Sequence, residues 1–597
     1  MRLSRFYSDQ PDIFTPVEFV EGLNVVLAEI RLPENRQRDT HNLGKTTLGR
    51  LLDFGFLAGR DSKFFLFRYP DLFDRFVFFL ELELEDGTFL TIRRSVAEAS
   101  RIAFKKALVG GQDFSGQPEG NWDHWDVPFD RAKELLDSLL DWRALKPWPY
   151  RKGLGYFLRS QDDFRDVFQL RRFANVHADW KPFLAHLLGF DGDLVSRHYA
   201  KEDELAEKVR TEQTIQTELG GTVVDVSKIE GMLLLKQQDL DRKQALLDAF
   251  DFRSDDKEQT RALVDKVDLR IAHLNGRRYT LQANKKKIDL SLKEDQILFS
   301  PEEAKEMFAQ AGVLFEGQIK RDFEQLLSFN RAITEERQGY LEEERSEIEV
   351  ELKAVGTELA ALGKQRSEML RALSDTDAFL RYKHMSADTV GLRADIATLE
   401  RQRGHLQRLQ ELRHDIRTLS AEISALQEQV EQNVESQNRE PTSRFSQIRL
   451  YFNEVIEEVL DRKALLSVFP NTRGHLEFRA EILDEGGNAT SADLGFTYRK
   501  LLCVAFDLAV LRVHLGDRFP RFAYHDGVLE SLDDRKKENL LAVLRAYADL
   551  GLQSVITLID SDLPARPDET PVFEDAEIVV RLHDMGEDGR LFRMASW

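Results

Sequence analysis

Apolar residues recur at alternating intervals of three and four through the middle of this 597-residue chain. The longest unbroken run is Leu409, Leu412, Ile416, Leu419, Ile423, Leu426 and Val430. Ile348, Leu352, Val355, Leu359 and Leu362 alternate in the same way, and Val267, Leu274, Leu281 and Ile288 recur every seven residues. This is the spacing of the a and d positions of a coiled coil. The pattern predicts long helices that pack in pairs; a single amphipathic helix lying on a globular domain is the alternative.

The heptad pattern falls into two segments separated at Ser300-Pro301. We therefore expect residues 196–440 to form an inserted antiparallel coiled coil within one chain, with its apex near 296–330. At ~1.5 Å per residue, straight arms of ~100 residues would reach on the order of 150 Å. A hairpin of this kind returns the chain to its starting point.

Outside the heptads the composition is that of a globular protein, and we expect residues 1–195 and 441–597 to form the two halves of one α/β head. Asp86-Gly87 is a hairpin turn dipeptide between two apolar runs, which predicts strands at Phe76–Glu85 and Thr88–Arg94. Further strands are predicted at Leu465–Phe469, His475–Ile482, Phe519–Tyr524, Ser554–Ile559 and Ala576–Leu582. Helices are predicted at Phe129–Leu140, Trp180–Leu188, 494–515 and 533–549.

A short glycine-containing motif follows the apolar run Leu23–Leu27 and precedes a helix-like run. It comprises Asn42, Gly44, Lys45, Thr46 and Thr47. A strand, a turn with glycine, Lys-Thr and then a helix is the order of a phosphate-binding P-loop, in which backbone N–H groups and the lysine hold phosphate and the threonine holds Mg²⁺. Asp39 stands where that motif has its first glycine, and an exposed lysine at a helix start is the alternative.

The C-terminal part of the chain carries residues that would complete such a site. The apolar strand predicted at Phe519–Tyr524 leads into Asp526, and a carboxylate at a strand end can hold Mg²⁺ opposite a threonine hydroxyl. Asp533 opens the next predicted helix. Ser491 and Gly495 introduce a long apolar helix whose N-terminus would attract an anion. In the N-terminal part, Gln161 follows a short apolar run that we interpret as a strand.

In chain order these elements are a P-loop, a strand with Gln, coiled-coil arms, a Ser/Gly helix start and a strand with Asp. The chain thereby resembles the SMC/RecN-type ABC ATPases, whose P-loop heads are divided by a coiled coil and dimerise around ATP. Within that class it is similar to small bacterial SMC-like proteins associated with three-component ABC systems of phage defence or other conflict. The similarity to this smaller group depends mainly on Ser554–Leu563 and Leu582–Phe592.

The resemblance implies ATP and Mg²⁺ as cofactors and a role for each matching residue. The nucleotide-binding positions would be Asn42, Gly44, Lys45, Thr46 and Thr47 in the P-loop, Ser491 and Gly495 in the signature helix, and Asp533 in the D-loop. Asp526 would be the Walker B aspartate and Gln161 the Q-loop residue, and both would hold Mg²⁺ together with Thr46. The signature helix would touch the γ-phosphate held by the other protomer of a homodimer.

Three departures from the class pattern concern catalysis. Gly527 stands where a catalytic glutamate normally follows the Walker B aspartate. The region where a switch histidine is expected reads Ile559-Asp560-Ser561-Asp562, and the signature is not Leu-Ser-Gly-Gly-Gln. Glu530 or Asp560 are the alternatives for positioning the attacking water. We therefore expect an ATP hydrolase that is slow for its class.

Charge and composition exclude several other classes. The net charge is −21, so any contact with DNA must use a local basic patch. Cys503 is the single cysteine and is predicted to be a buried thiol. No apolar run approaches the ~20 residues that span a bilayer, and the start lacks a signal-peptide core, so we expect a cytoplasmic protein without a membrane partner. We interpret His525 as a core or site-shaping residue, and the other histidines show no metal-ligand spacing.

Three hypotheses for function follow. The first is an SMC-like ATPase that couples ATP to DNA association or to a partner effector in phage defence or DNA repair. The second is a coiled-coil scaffold whose head binds nucleotide weakly or not at all. The third is the regulatory chain of an ATP-dependent nuclease complex, with the nuclease in a protein partner encoded nearby.

Overall fold

The structure is a computed structural model, and it divides the chain into two compact units, Met1–Asp203 with Ala421–Trp597 and Glu204–Ser420. The first unit therefore contains both ends of the chain. The residues that the structure describes are 1–35, 43–171, 176–218, 226–249, 255–294, 318–371, 377–490, 495–566, 570–595 and 597. Asn42, Ser491 and most of the predicted apex at 296–330 lie outside these ranges.

A five-stranded parallel sheet forms the centre of the first unit. Its strand order is β13-β3-β12-β11-β8. The strands are β3 Leu23–Glu29, β8 Leu158–Arg159, β11 Phe522–Asp526, β12 Gln553–Ile559 and β13 Ile578–His583. Strands β3, β11 and β12 are almost continuously buried, as expected for the largely apolar strands of a parallel sheet covered on both faces. Residues that follow these strands meet at one edge of the sheet.

An antiparallel sheet and a hairpin complete the β structure of the first unit. The six-stranded sheet has the order β2-β1-β4-β5-β6-β7. Its strands are β1 Arg2–Ser8, β2 Val17–Glu18, β4 Val77–Glu83, β5 Phe89–Ser95, β6 Arg101–Ala107 and β7 His124–Pro128. The hairpin pairs β9 Ala464–Pro470 with β10 Leu476–Ile482.

The helices of the described residues fall into short ones at the chain ends and long ones between. The short helices are α1 Lys45–Gly55, α2 Phe65–Arg68, α3 Pro70–Phe73, α4 Phe129–Leu140, α5 Tyr150–Phe157, α6 His177–Leu187, α12 Arg444–Leu460, α13 Phe496–Val513 and α14 Asp534–Asp549. The long helices are α7 Gly192–Glu218, α8 Val226–Asp248, α9 Asp255–Glu294, α10 Gln318–Arg371 and α11 Asp377–Arg439.

The predicted strands and helices of the chain ends are present, with boundaries that differ by a few residues. Before Gln161, where a strand was expected, the two residues Leu158–Arg159 form β8 and pair with β11. Helix α5 ends at Phe157, directly before this short strand. Phe157 is buried on a helix rather than on a strand, because a short apolar run fits both structures equally well.

In the second unit the heptad residues of α9 and α10 pack against each other. Leu274, Leu281 and Ile288 form one cluster with Ile348 and Val355. The flanking ion pairs run in opposite sequence order, as Arg270–Glu358, Arg277–Glu351 and Lys285–Glu349. The two helices are therefore antiparallel over this stretch.

The same unit contradicts a straight pair of arms. Arg401 on α11 donates hydrogen bonds to Thr280 Oγ1 at 2.6 Å and to the Gly276 carbonyl at 3.4 Å, both on α9. Ser386 on α11 donates to Asp268 of α9 at 2.5 Å. Because α9 contacts both α10 and α11, the hairpin is folded back on itself, and a reach on the order of 150 Å is wrong.

No helix within the described ranges is long and apolar enough to cross a membrane.

Candidate nucleotide site

Helix α1 begins at Lys45, directly after Gly44, whose φ is +104°. That left-handed conformation favours glycine, and a Cβ at Gly44 would lie 2.6 Å from Leu591 Cβ. Thr46 and Thr47 lie in the first turn, and no side chain of the described residues caps the helix. The first N–H groups of α1 are therefore donors that an anion can use.

The ammonium group of Lys45 lies among carboxylates from the other end of the chain. Burial lowers the pKa of Lys45, while Glu530, Asp526, Asp562 and Asp560 act in the opposite direction. A lysine held among four acids neutralises part of their charge. The same lysine remains a cation for any phosphate that enters this space.

Asp526 ends β11 and has one oxygen in use and one free. Thr557 Oγ1 donates to Asp526 Oδ1 at 2.5 Å. The other oxygen, Oδ2, is buried and has no hydrogen-bond partner among the described residues. Asp526 and Thr46 line the same cavity of about 630 Å³. A buried orphan carboxylate oxygen beside a threonine hydroxyl is a donor set that suits Mg²⁺.

Gln161 and Glu530 meet directly beside Gly527. Gln161 Nε2 donates to Glu530 Oε1 at 3.1 Å. A Cβ on residue 527 would lie 2.6 Å from Gln161 Nε2 and 2.7 Å from Glu530 Oε1, and its φ is +67°. The space that a side chain on residue 527 would need is therefore taken by Gln161 and the carboxylate of Glu530.

Lys500 of α13 contacts both Gly527 and Glu530. The sequence analysis did not predict a role for this residue. Its Nζ donates to the Gly527 carbonyl at 2.7 Å and lies 3.8 Å from Glu530 Oε2. Burial raises the pKa of Glu530, while Lys500 and Lys45 act against that shift. A buried lysine in an apolar helix start was the available sequence signal, since such a residue is almost always paired.

Asp560, the other candidate for positioning water, is used differently. Its Oδ2 accepts from the Ile30 N–H at 3.0 Å and its Oδ1 from the Ser561 N–H at 2.8 Å. Both oxygens therefore bind backbone, and the carboxylate fixes the ends of β3 and β12.

Two further predicted residues occupy helix starts. Asp533 is exposed, caps α14 by accepting from the Lys536 N–H at 3.0 Å, and pairs with the Lys536 ammonium at 2.6 Å. These contacts lower the pKa of Asp533. Gly495 is the residue before α13, and no side chain of the described residues caps that helix. Ser491 lies outside the described residues.

A buried charge network behind the site was also missed. Arg159 and Asp507 are fully buried and joined by two hydrogen bonds of 2.8 Å. His525 Nε2 lies 3.1 Å from Asp507 Oδ2, so His525 is a buried site-shaping residue. The three residues come from β8, α13 and β11. Nothing in the sequence indicates the pairing, because its partners are 348 residues apart.

Known proteins resemble this chain in one part of its sequence and, at low identity, in structure. Residues 454–596 match a family described as an uncharacterised protein conserved in bacteria, DUF2326. No curated protein matches the chain. Among solved structures, the chain is similar to an Smc head domain with a coiled coil and joint from Pyrococcus yayanosii, at 14% identity and a TM-score of 0.34, covering 93% of this chain and 92% of that one.

A second solved structure has a similar extent. It is an Smc head domain with an extended coiled coil, bound to the C-terminal domain of ScpA, from Pyrococcus furiosus. The identity is 11% and the TM-score 0.34, over 94% of this chain and 90% of that chain.

Proposed function

We propose that this chain is an SMC-like ABC ATPase that binds ATP and Mg²⁺ in its first unit and hydrolyses ATP slowly. One observation carries the proposal: Lys45 lies among Asp526 and Glu530 although nearly five hundred residues separate them in the sequence. Burying a lysine together with several acids costs stability, and proteins concentrate such groups at functional sites. Phosphate binding at the start of α1 gives that use.

Each residue near Lys45 has a chemical task in this proposal. Lys45 and the α1 N–H groups bind phosphate oxygens, and Thr46 and Asp526 would hold Mg²⁺, which when bound neutralises phosphate charge. Glu530, oriented by Gln161 and Lys500, accepts a hydrogen bond from the attacking water. The carboxylate of Asp560 is committed to backbone, so Glu530 is the better candidate. Hydrolysis is slow because Glu530 reaches the site from three residues beyond the usual position.

The experiment is ATP binding by the full chain, with Lys45→Ala as the test and Lys463→Ala as the matched control. Lys463 is an exposed lysine of the same unit. We expect Lys45→Ala to weaken binding at least about 100-fold, the effect of losing a charge-assisted contact of roughly 3 kcal/mol. Equal binding by wild type and Lys45→Ala would favour the scaffold hypothesis instead.

We further propose that α9 and α10 form an antiparallel coiled coil and that the heads form an ATP-dependent homodimer. The buried heptad residues and the reversed order of the ion pairs support the first part. The dimer would act on DNA or on a protein partner encoded nearby, in phage defence or DNA repair. Phage plating on cells carrying wild type or Lys45→Ala, together with the neighbouring genes, tests this role. Equal plating would count against defence.

A further inference from the structure

Two histidines and a glutamate converge in the first unit, away from the nucleotide site. His198 and Glu202 are one turn apart on α7, and His475 directly precedes β10. Their ligand atoms all lie within 4.8 Å of one another. Among the residues that the structure describes, this is the one group of at least three His, Cys, Asp or Glu side chains with such spacing.

An unsatisfied imidazole nitrogen is the second observation. His198 is 1% exposed, and its Nε2 is buried without a hydrogen-bond partner among the described residues. His475 Nε2 contacts Glu202 Oε2. The ring of Tyr199 stacks on His475 at 4.6 Å and fixes the orientation of that imidazole. A buried nitrogen without a partner costs free energy, which a bound cation would recover.

We propose that His198, Glu202 and His475 bind one Zn²⁺ ion. Imidazole nitrogens and a carboxylate are ligands that Zn²⁺ accepts, and side chains four residues apart lie on one helix face. Zinc–ligand bonds are about 2.0–2.2 Å long, so small side-chain rotations close the present spacing. Three protein ligands leave a fourth position for water.

The surroundings provide access to this site. His475 lines an open cavity of about 440 Å³, together with Asn471 and Glu477 of the β9–β10 hairpin. The ion would link α7 to that hairpin, two parts of the first unit that are 273 residues apart between Glu202 and His475. Spacing in the sequence does not indicate this group, because only folding brings His475 beside His198 and Glu202.

The test is Zn²⁺ binding by the full chain, without an affinity tag, after removal of metals and in the absence of nucleotide and Mg²⁺. We expect one Zn²⁺ per chain, and d–d absorption of Co²⁺ when it replaces zinc. Glu202→Gln and His475→Asn should each weaken Zn²⁺ binding at least about 100-fold, because mutating even a residue that only orients a metal ligand lowers metal affinity about 10–100-fold. His124→Ala, at an exposed histidine of the same unit, should bind as wild type does.

Thermal unfolding separates metal binding from a simple His475–Glu202 ion pair. Zn²⁺ should raise the melting temperature of wild type and of His124→Ala, but not of the two ligand variants, because only a folded site binds the ion. Absence of saturable Zn²⁺ uptake by wild type overturns the proposal, as does unchanged uptake by a folded His475→Asn variant. Neither result bears on ATP binding, which has its own control.

Discussion

The backbone at Gly527 has a φ of +67°, and the side chains of Gln161 and Glu530 approach it closely. We predict that Gly527→Ala destabilises the first unit through two effects, the left-handed backbone and the clash with both side chains. The backbone effect is about 1 kcal/mol, and overpacking adds roughly 1–3 kcal/mol. Chemical denaturation followed by the fluorescence of the tryptophans measures the sum.

Gly551→Ala is the matched control for that prediction. Gly551 has a φ of +84° but no atom within 4 Å of the position of its Cβ. It therefore carries the backbone effect without the clash. If the two variants lose the same stability, Gln161 and Glu530 do not crowd residue 527.

We predict that Glu530→Gln lowers the rate of ATP hydrolysis about 10²–10⁴-fold while ATP binding persists. A neutral amide still fills the space beside Gly527, but it cannot accept a proton from water. Asp560→Asn should change turnover little, because its oxygens bind backbone N–H groups. Turnover that survives both substitutions together would exclude both acids.

The pH dependence of ATP hydrolysis provides an independent test of the role of Glu530. Burial raises the pKa of Glu530 above 4.5, and only the ionised form can accept the proton. The rate should therefore fall, as pH decreases, at a pH above the ordinary glutamate value, and Glu530→Gln should lack this step. Stability has the opposite dependence: because the folded-state pKa is raised, the wild type loses stability as pH rises from the ordinary glutamate pKa to the raised one. The stability of Glu530→Gln relative to wild type should therefore increase over that interval and level off above it.

At the scale of elements, one buried ion pair joins three parts of the site. Arg159 ends β8, Asp507 lies in the middle of α13, and His525 in β11 contacts the same carboxylate. Arg159 also donates to the carbonyls of Asp163 and Val167, which follow Gln161 in the chain. The pair therefore fixes the Gln161 segment relative to the strand that ends in Asp526.

We predict that Asp507→Leu costs about 3–5 kcal/mol, because it leaves Arg159 charged and unpaired in the core. Glu454→Gln is the control. Glu454 of α12 forms a half-exposed ion pair with Arg512, which lies on the same helix as Asp507, and the loss of this pair should cost less than about 1 kcal/mol. Combining Arg159→Met with Asp507→Leu should cost less than the sum of the two single changes. Additive losses in denaturation would mean that the pair is not coupled.

The strands of the parallel sheet were predictable because burial on both faces leaves an apolar run, as in Ser554–Ile559. Lys45 and Asp526 could be proposed as site residues because each comes after such a run in the sequence. The sequence left Glu530 as one of two alternatives and did not point to Lys500 or Asp507. The contacts of Asp507 and Lys500 are with residues far away in the sequence or on another element. Periodicity indicates which face of an element is buried, but it does not identify what the buried polar groups contact.

At the scale of the whole chain, the heptads predicted that the long helices pack in pairs, but they did not predict that the hairpin folds back on itself. The contact of Arg401 with Thr280 brings α9 against α11 as well as α10. A heptad pattern specifies an apolar seam, whereas the fold-back depends on polar contacts such as Asp268 with Ser386 and Arg366. Those contacts use residue types that are common on any solvated helix, so the sequence gives no signal for them.

The proposed homodimer concerns the whole molecule, and α13 provides its test. If the N-terminus of α13 faces a phosphate held by the partner's P-loop, its dipole stabilises that contact. We predict that Gly495→Glu abolishes ATP-dependent dimerisation, since it sets a carboxylate against the phosphate, while ATP binding persists. Gly516→Glu adds the same charge beyond the other end of α13, at an exposed position with no atom within 4 Å. Sedimentation velocity with ATP should show dimers of Gly516→Glu and monomers of Gly495→Glu; dimers of both would place the interface elsewhere.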